Sequence, residues 1–313
     1  MPDLSVIIVT RNTCALTCAA IESVCNSQDE GTKEILLVDN ASTDDTAAVV
    51  AKQFPSVRRL RAERNLGFSR ANNWGACESA GEFLLLLNSD AAVKPNSLAT
   101  ALDWMRCHPD CGVAGVQLLN PDGSRQNSIA NFPTLATELL NKSLLRRLFP
   151  RRFPGKEHQL DGPVEVESVV GAFMLIRREV WDAVGGLDER YFFFLEETDF
   201  CLQARRRGWR VMHLPHVTVW HGQGQTAKKV SAAARIEYWR SRYAYFRKNH
   251  GHFTQAALAA GLGVRLLVGW VAGILLNLLF LGANADLCDK SRVQTALVKW
   301  HLRGQPGEMG LPR

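Results

Sequence analysis

Strand-like apolar runs alternate with helical patterns through the first 120 residues, and this alternation restricts the fold more than any other feature of the chain. Residues 4–10 are a β-branched run, 15–26 carry a helical pattern, and 34–39 form a second strand. Ser42 or Thr43 can cap a helix through residue 54, with Asp44 and Asp45 in its first turn, where the helix dipole favours them. A third strand over 57–61, a helix over 69–79, an apolar strand over 83–87, a helix over 97–106 and a strand over 112–118 continue the pattern. Strands separated by helices at this spacing pair in parallel through crossovers, which predicts an α/β fold with a doubly wound, mainly parallel sheet.

Periodicity weakens from 120 to 163, where Asn120-Pro121-Asp122-Gly123 marks a turn and the 146–154 stretch reads as a surface excursion. It returns with regular structure over 169–177, a helix over 179–184, a helix over 199–207 and a strand over 209–214. Two apolar runs end abruptly at polar clusters: 84–87 before Asn88-Ser89-Asp90, and 192–195 before Glu196-Glu197-Thr198-Asp199. Each reads as a buried strand whose carboxyl end opens into a site, the place where open α/β sheets bind ligands.

These clusters carry the chemistry. Asn88-Ser89-Asp90 suits Mg2+ or Mn2+ shared with phosphate oxygens, since such ions need only one or two protein carboxylates; a capped turn is the alternative. Glu196, Glu197 and Asp199 crowd three carboxylates, and repulsion with partial burial raises at least one pKa toward neutrality, as a general base requires. The bland reading is an exposed acidic helix start. Asp39 ends a strand beside Asn40 and Ser42, where it can accept a hydrogen bond from an imide N–H or cap a helix. Arg64-Asn65-Leu66-Gly67 precedes a helix and can bond a nucleotide or serve as a turn. His221 closes an apolar run and can reach a metal or be structural.

The formal charge of +6 is clustered at Arg146 to Lys156, at Arg205 to Arg207 and from Lys228 to Lys248, which favours anionic partners. No nucleic-acid-binding module accompanies these patches, so nucleic acid is not an expected partner. The eight cysteines show no CxxC spacing and read as buried, reduced thiols, and no secretory leader is expected at the amino terminus. Residues 233–248 form a basic, aromatic-rich helix, and 266–282 are apolar apart from Asn277. That segment fits a span, a helix lying in the membrane interface, or a buried soluble helix or homodimer contact.

Several motifs together resemble the inverting nucleotide-sugar glycosyltransferases of family 2, and within them the rhamnosyltransferase-like members. They are Ser5-Val6-Ile7-Ile8-Val9-Thr10-Arg11-Asn12, Val38-Asp39-Asn40-Ala41-Ser42, Asn65-Leu66-Gly67-Phe68, Leu87-Asn88-Ser89-Asp90, Gly171-Ala172, Gly185-Gly186-Leu187-Asp188-Glu189, Glu196-Glu197-Thr198-Asp199 and His221-Gly222. The resemblance implies a GT-A fold over 1–228, with a nucleotide-sugar half (1–120) and an acceptor half (121–228), followed by a helical, membrane-associating region over 229–313. It implies that Thr10, Arg11, Asn12, Asp39, Asn40, Arg64, Asn65, Gly67, Asn88, Ser89, Asp90 and Gly171 hold the nucleotide sugar. Asp90 and His221 are its implied ligands to Mg2+ or Mn2+. Glu197 or Glu196 is the implied base, with Asp199 orienting the helix or binding acceptor. A polysaccharide or lipid-linked acceptor at the cytoplasmic face of a bacterial inner membrane is the implied setting.

Overall fold

The computed structural model describes residues 1–28, 31–149, 160–222, 231–280 and 283–313. Arg151, Arg152 and Lys156 of the basic excursion, Lys228, and the expected division at residue 228 lie outside the described residues. The chain forms two compact units, Met1–Phe132 with Leu148–Phe192 and Glu196–Gln223, and Pro133–Arg147 with Phe193–Leu195 and Gly224–Arg313.

The first unit is built on a mixed sheet. In chain order its first elements are β1 (Leu4–Thr10), α1 (Cys14–Cys25), β2 (Lys33–Asp39), α2 (Thr46–Gln53), β3 (Arg58–Arg61), α3 (Gly67–Cys77), β4 (Phe83–Asn88), β5 (Ala91–Val93), α4 (Ser97–Cys107), β6 (Cys111–Leu119) and β7 (Ile129–Ala130). The chain then forms α5 (Leu135–Leu139) and α6 (Lys142–Leu148), followed by β8 (Val164–Glu165), β9 (Ser168–Val169), β10 (Phe173–Arg177), α7 (Arg178–Val184), α8 (Glu196–Arg206) and β11 (Arg210–His221). The nine-stranded sheet runs β3-β2-β1-β4-β10-β6-β11-β5, with β8 also on β11. β1, β2, β3, β4, β6 and β11 share one direction, while β10, β5 and β8 run against them, so the sheet is mainly parallel as predicted.

Alternation along each strand divides the core. Val6, Ile8, Phe83, Leu85 and Leu87 point to one face with Ile21, Val50 and Met105 of the helices there. Ile7, Leu84 and Leu86 point to the other face, against Ala71, Val180, Trp181 and Phe200. Burial on both faces is why β4 reads as an unbroken apolar run rather than an alternating one. Truncating a residue such as Leu86 to alanine costs about 2–5 kcal/mol through lost burial and a cavity.

Three expectations fail. The run 192–195 is not a strand: Phe194 and Leu195 have φ of 75° and 69°, which no extended strand permits. The carbonyls of Tyr191 and Phe192 are instead engaged by residues distant in sequence, Phe68 N donating to Phe192 O at 2.7 Å and Ser69 Oγ to Tyr191 O at 2.7 Å. Neither Ser42 nor Thr43 caps α2; Asp44 Oδ1 accepts from Thr46 N at 3.1 Å, while Ser42 serves the β2 end. Of the eight cysteines, all free thiols, only Cys111 and Cys201 are buried, and Cys25, Cys77 and Cys107 are exposed. The strand expected over 209–214 and the apolar run that His221 closes are one strand, β11, whose register shifts between Leu214 and Thr218 around Pro215, a residue without an N–H for the ladder.

The second unit is helical: α5, most of α6, then α9 (Ser231–Asn249), α10 (Gly251–Leu279) and α11 (Ala285–Leu302). Tyr245, Phe246, Leu258, Leu262 and Trp300 fill its core. A buried ion pair joins Arg242 of α9 to Glu138 of α5, and Tyr243 Oη lies 2.9 Å from His301 Nε2. Ser241 Oγ donates to Phe193 O at 2.8 Å, so α9 fixes the short segment that precedes α8.

Candidate active site

The parallel register aligns the carboxyl ends of three strands. Thr10 lies opposite Asp39 across β1 and β2, and Val9 opposite Asn88 across β1 and β4. The strand order reverses at β1, with β2 and β3 on one side and β4 on the other, so these ends flank the crevice where a doubly wound sheet accepts a ligand.

At the β1 end, Thr10 Oγ1 lies 2.6 Å from Thr17 Oγ1 and 2.9 Å from that of Thr13, which is in turn 3.2 Å from Ser89 Oγ. Asn12 takes a left-handed turn (φ 56°) and accepts from Thr43 N at 2.7 Å, and its own N–H donates to Ser42 Oγ at 3.0 Å. Arg11 holds its Nε in the interior without a hydrogen bond among the described residues.

Asp39 is 2% exposed. Its Oδ1 accepts from Ser42 N at 2.8 Å, but its Oδ2 has no hydrogen bond among the described residues and only the Arg61 guanidinium 3.8 Å away. A buried acceptor left in this state at a strand end is costly unless a ligand donor completes it.

Asn40 and Asn65 are engaged by their own loop. Asn40 Nδ2 donates to Asn65 Oδ1 (2.8 Å) and Gly67 O (3.1 Å), and Asn40 Oδ1 accepts from Leu66 N (2.6 Å). Gly67 has φ of 80°, and a Cβ there would sit 2.5 Å from Phe192 O, so only glycine lets the loop approach so closely. Arg64 is exposed.

The β4 end meets the end of β11. His221 pairs with Ala91, one residue past Asp90, and Gly222 N donates to Asp90 O at 2.7 Å. His221 Nε2 is consequently 3.3 Å from Asp90 Oδ1 and 3.5 Å from Asn88 Nδ2. The other ring nitrogen, Nδ1, lies 2.9 Å from Gln126 Oε1. Gln126 was not singled out by any sequence pattern; it sits in the aperiodic stretch after β6 and is 5% exposed. Its Nε2 donates to His221 O at 2.7 Å and to Asn120 Oδ1 at 2.8 Å, which fixes the amide orientation and makes Oε1 an acceptor for Nδ1–H.

With Nδ1 turned to Gln126, Nε2 faces the Asp90 carboxylate at 3.3 Å, and Nε2 and Oδ1 are placed to share a cation. The donor set therefore fits a hard divalent cation that completes its shell with phosphate oxygens. It does not make an all-protein cage: among the described residues no three His, Cys, Asp or Glu side chains converge as a metal cluster.

The third group of residues opens α8, where Glu196, Glu197 and Asp199 occupy the first turn. Glu196 and Asp199 are buried, whereas Glu197 is half-buried. Burial pushes the Glu197 carboxyl up to about 6, into the range of a base working near neutrality. Gly171 lies against it, an added Cβ falling 3.5 Å from Glu197 Cβ. The β4–β10 pairing brings these groups toward the Asp90–His221 end, because Asn88 N donates to Ala172 O at 3.1 Å, directly after Gly171. Left-handed backbone at Phe194 and Leu195 immediately before the carboxylates is the kind of strain that clusters at functional sites.

The glycosyl transferase family 2 model matches residues 5–185. Over 240 residues the chain is 28% identical to an N-acetylglucosaminyl-diphospho-decaprenol L-rhamnosyltransferase of Mycobacterium tuberculosis, covering 72% of this chain and 78% of that protein. It is 23% identical over 229 residues to the dTDP-rhamnosyl transferase RfbF of Shigella flexneri, covering 69% and 71%. Among solved structures it is similar to the mannosyltransferase PcManGT of Pyrobaculum calidifontis in complex with GDP-Man and Mn2+. That match has a TM-score of 0.54 and 16% identity, covering 96% of this chain and 86% of the other.

Proposed function

The chain belongs to glycosyltransferase family 2 and has the GT-A fold, and from that premise we propose that it moves rhamnose from dTDP-rhamnose to a polysaccharide or lipid-linked acceptor with inversion at the anomeric carbon. The observation that carries the donor assignment is the buried Asp39 Oδ2, an acceptor at the β2 end that a pyrimidine imide N–H would satisfy. Thymine and uracil both present that N–H; the dTDP-rhamnosyl transferase RfbF among the relatives favours the thymine nucleotide.

In this reading Glu197 removes the proton from the acceptor hydroxyl as its oxygen forms the new bond to the anomeric carbon. The bond from that carbon to the nucleoside diphosphate breaks on the opposite side, and its electron pair leaves with the diphosphate. Asp90 and His221 would hold Mg2+ or Mn2+, whose charge, when the ion is bound, offsets the charge developing on the leaving group. Gln126 keeps the His221 Nε2 lone pair directed at that position. Asp199 supports the α8 start, and the helical unit holds the enzyme near an acceptor at the cytoplasmic membrane surface.

Thermal-shift titration with dTDP, UDP, CDP and GDP, with and without Mn2+, tests the donor site. Metal-dependent stabilisation by dTDP or UDP, lost in Asp39→Asn, is expected. Stabilisation by GDP or CDP alone overturns the assignment, and turnover with UDP-hexose but not dTDP-rhamnose replaces the sugar while keeping the site.

A further inference from the structure

One surface of the helical unit is apolar and exposed. The buried positions of α10 are Leu258, Leu262, Leu266 and Gly273. On the same side Trp270 Nε1 donates to Thr295 Oγ1 at 2.9 Å, Asn277 Nδ2 donates to Ser291 Oγ at 2.7 Å, and Cys288 Sγ lies 3.3 Å from Asn277 Oδ1. A Cβ at Gly269 or Gly273 would meet Gln294 or Ser291 at 2.8 Å, so the two helices approach closely. Partner numbers fall along α11 as they rise along α10, which makes the pair an antiparallel hairpin with a polar seam.

At about 100° per residue, the opposite side of α10 carries Val264, Leu267, Val268, Val271, Leu275 and Leu278. These six are between 44% and 67% exposed among the described residues. No charged residue occurs between 266 and 280, and Arg265 at the start donates to Glu138 O at 3.3 Å. α10 as a whole, 29 residues, is long and apolar enough to cross a membrane, but Leu258, Leu262 and Leu266 of its first half are buried in the helical unit and Arg265 is held at Glu138 O, which leaves about 22 Å of free apolar helix against the roughly 30 Å of a hydrocarbon core. Crossing would also draw in α11, whose Asp286, Asp289, Lys290, Arg292 and Lys299 are all exposed and expensive in lipid. The hairpin itself is basic: residues 251–303 hold five Lys and Arg against two Asp and Glu, a net +3.

We propose that the α10–α11 hairpin docks in the plane of an anionic bilayer, the α10 stripe sunk into the acyl boundary of one leaflet and α11 on the headgroup side, without crossing. This rests on the reading of a membrane-held acceptor and gives that reading its geometry.

Nitroxide depth measurements on the full chain test it. Labels are placed singly at Val264→Cys, Val271→Cys and Leu278→Cys, with Cys25, Cys77 and Cys107 replaced by serine. The vesicles are phosphatidylcholine alone or phosphatidylcholine and phosphatidylglycerol in equal parts. In-plane docking gives the three labels one common depth, with binding strengthened by phosphatidylglycerol. A depth that changes by roughly 21 Å from the first label to the last shows a crossing helix and overturns the proposal. Labels that stay in water also overturn it, and a dimer by sedimentation would then assign the stripe to a second copy. The double variant Val268→Glu with Leu275→Glu should lower vesicle binding at least about tenfold while transfer to a water-soluble acceptor persists. Vesicle binding with no transfer to any acceptor supports docking and removes the transferase reading instead.

Discussion

Gln126 grips His221 at two points, its Oε1 2.9 Å from the ring Nδ1 and its Nε2 2.7 Å from the backbone carbonyl of the same residue. The amide therefore selects the tautomer and fixes the ring plane at once, directing Nε2 toward Asp90. Outer partners of this kind typically govern metal affinity by about 10–100-fold.

Gln126→Ala should accordingly weaken Mn2+ binding by about 10–100-fold, with the far-ultraviolet circular dichroism spectrum unchanged. Isothermal titration with Mn2+ in the presence of dTDP measures this. Unaltered affinity would show that the imidazole keeps its orientation without the amide.

Gly67→Ala meets both a left-handed backbone and a carbonyl, since its Cβ would lie 2.5 Å from Phe192 O. The backbone term alone costs about 1–2 kcal/mol, and the contact adds to it. A lower midpoint in urea and weaker dTDP binding are the expected results. An unchanged midpoint would mean the loop relaxes away from Phe192 without cost.

Much of this was legible in the sequence because it is local. The β4 run ending in Asn88-Ser89-Asp90 announced a buried strand with a polar end, and the strand–helix alternation announced the sheet. What was not legible depends on tertiary pairing. The Asp90–His221 pairing, implied only by the family resemblance and not by spacing, exists because β11 continues past Pro215 to pair with β5, and Gln126 reaches His221 from a stretch with no periodicity. The run 192–195 misled for a related reason: four apolar residues fit a strand by composition, but their carbonyls answer Phe68 and Ser241, and the backbone turns left-handed to allow it.

The Glu138–Arg242 pair in the helical unit is buried on both sides, at 6% side-chain exposure each. Arg242→Ala strands the carboxylate and should cost about 3–5 kcal/mol, whereas the double change Glu138→Leu with Arg242→Met should cost much less. Chemical denaturation of the three proteins decides. Equal losses in single and double variants would mean that the packing of Arg242 over Tyr238 and Trp239, not its charge, matters.

If Glu197 is the base proposed above, it couples catalysis to stability through one shift. Its carboxyl titrates at about 6 in the folded protein against an ordinary value of 4.5, with burial as the cause. A base must be deprotonated, so kcat/KM should rise with pH through about 6 and level off above it. The folded state binds this proton more tightly than the unfolded chain does. Its relative stabilisation is complete below pH 4.5 and is lost as pH rises through 6. At pH 7 the ionised side chain thus destabilises the fold by up to about 2 kcal/mol. Glu197→Gln should therefore lose roughly 10²–10⁴ in kcat and the acid limb of the pH profile, yet unfold at a higher temperature at pH 7. Glu196→Gln should do neither if Glu197 is the base; a lost acid limb in Glu196→Gln, with Glu197→Gln still active, would transfer the role to its neighbour.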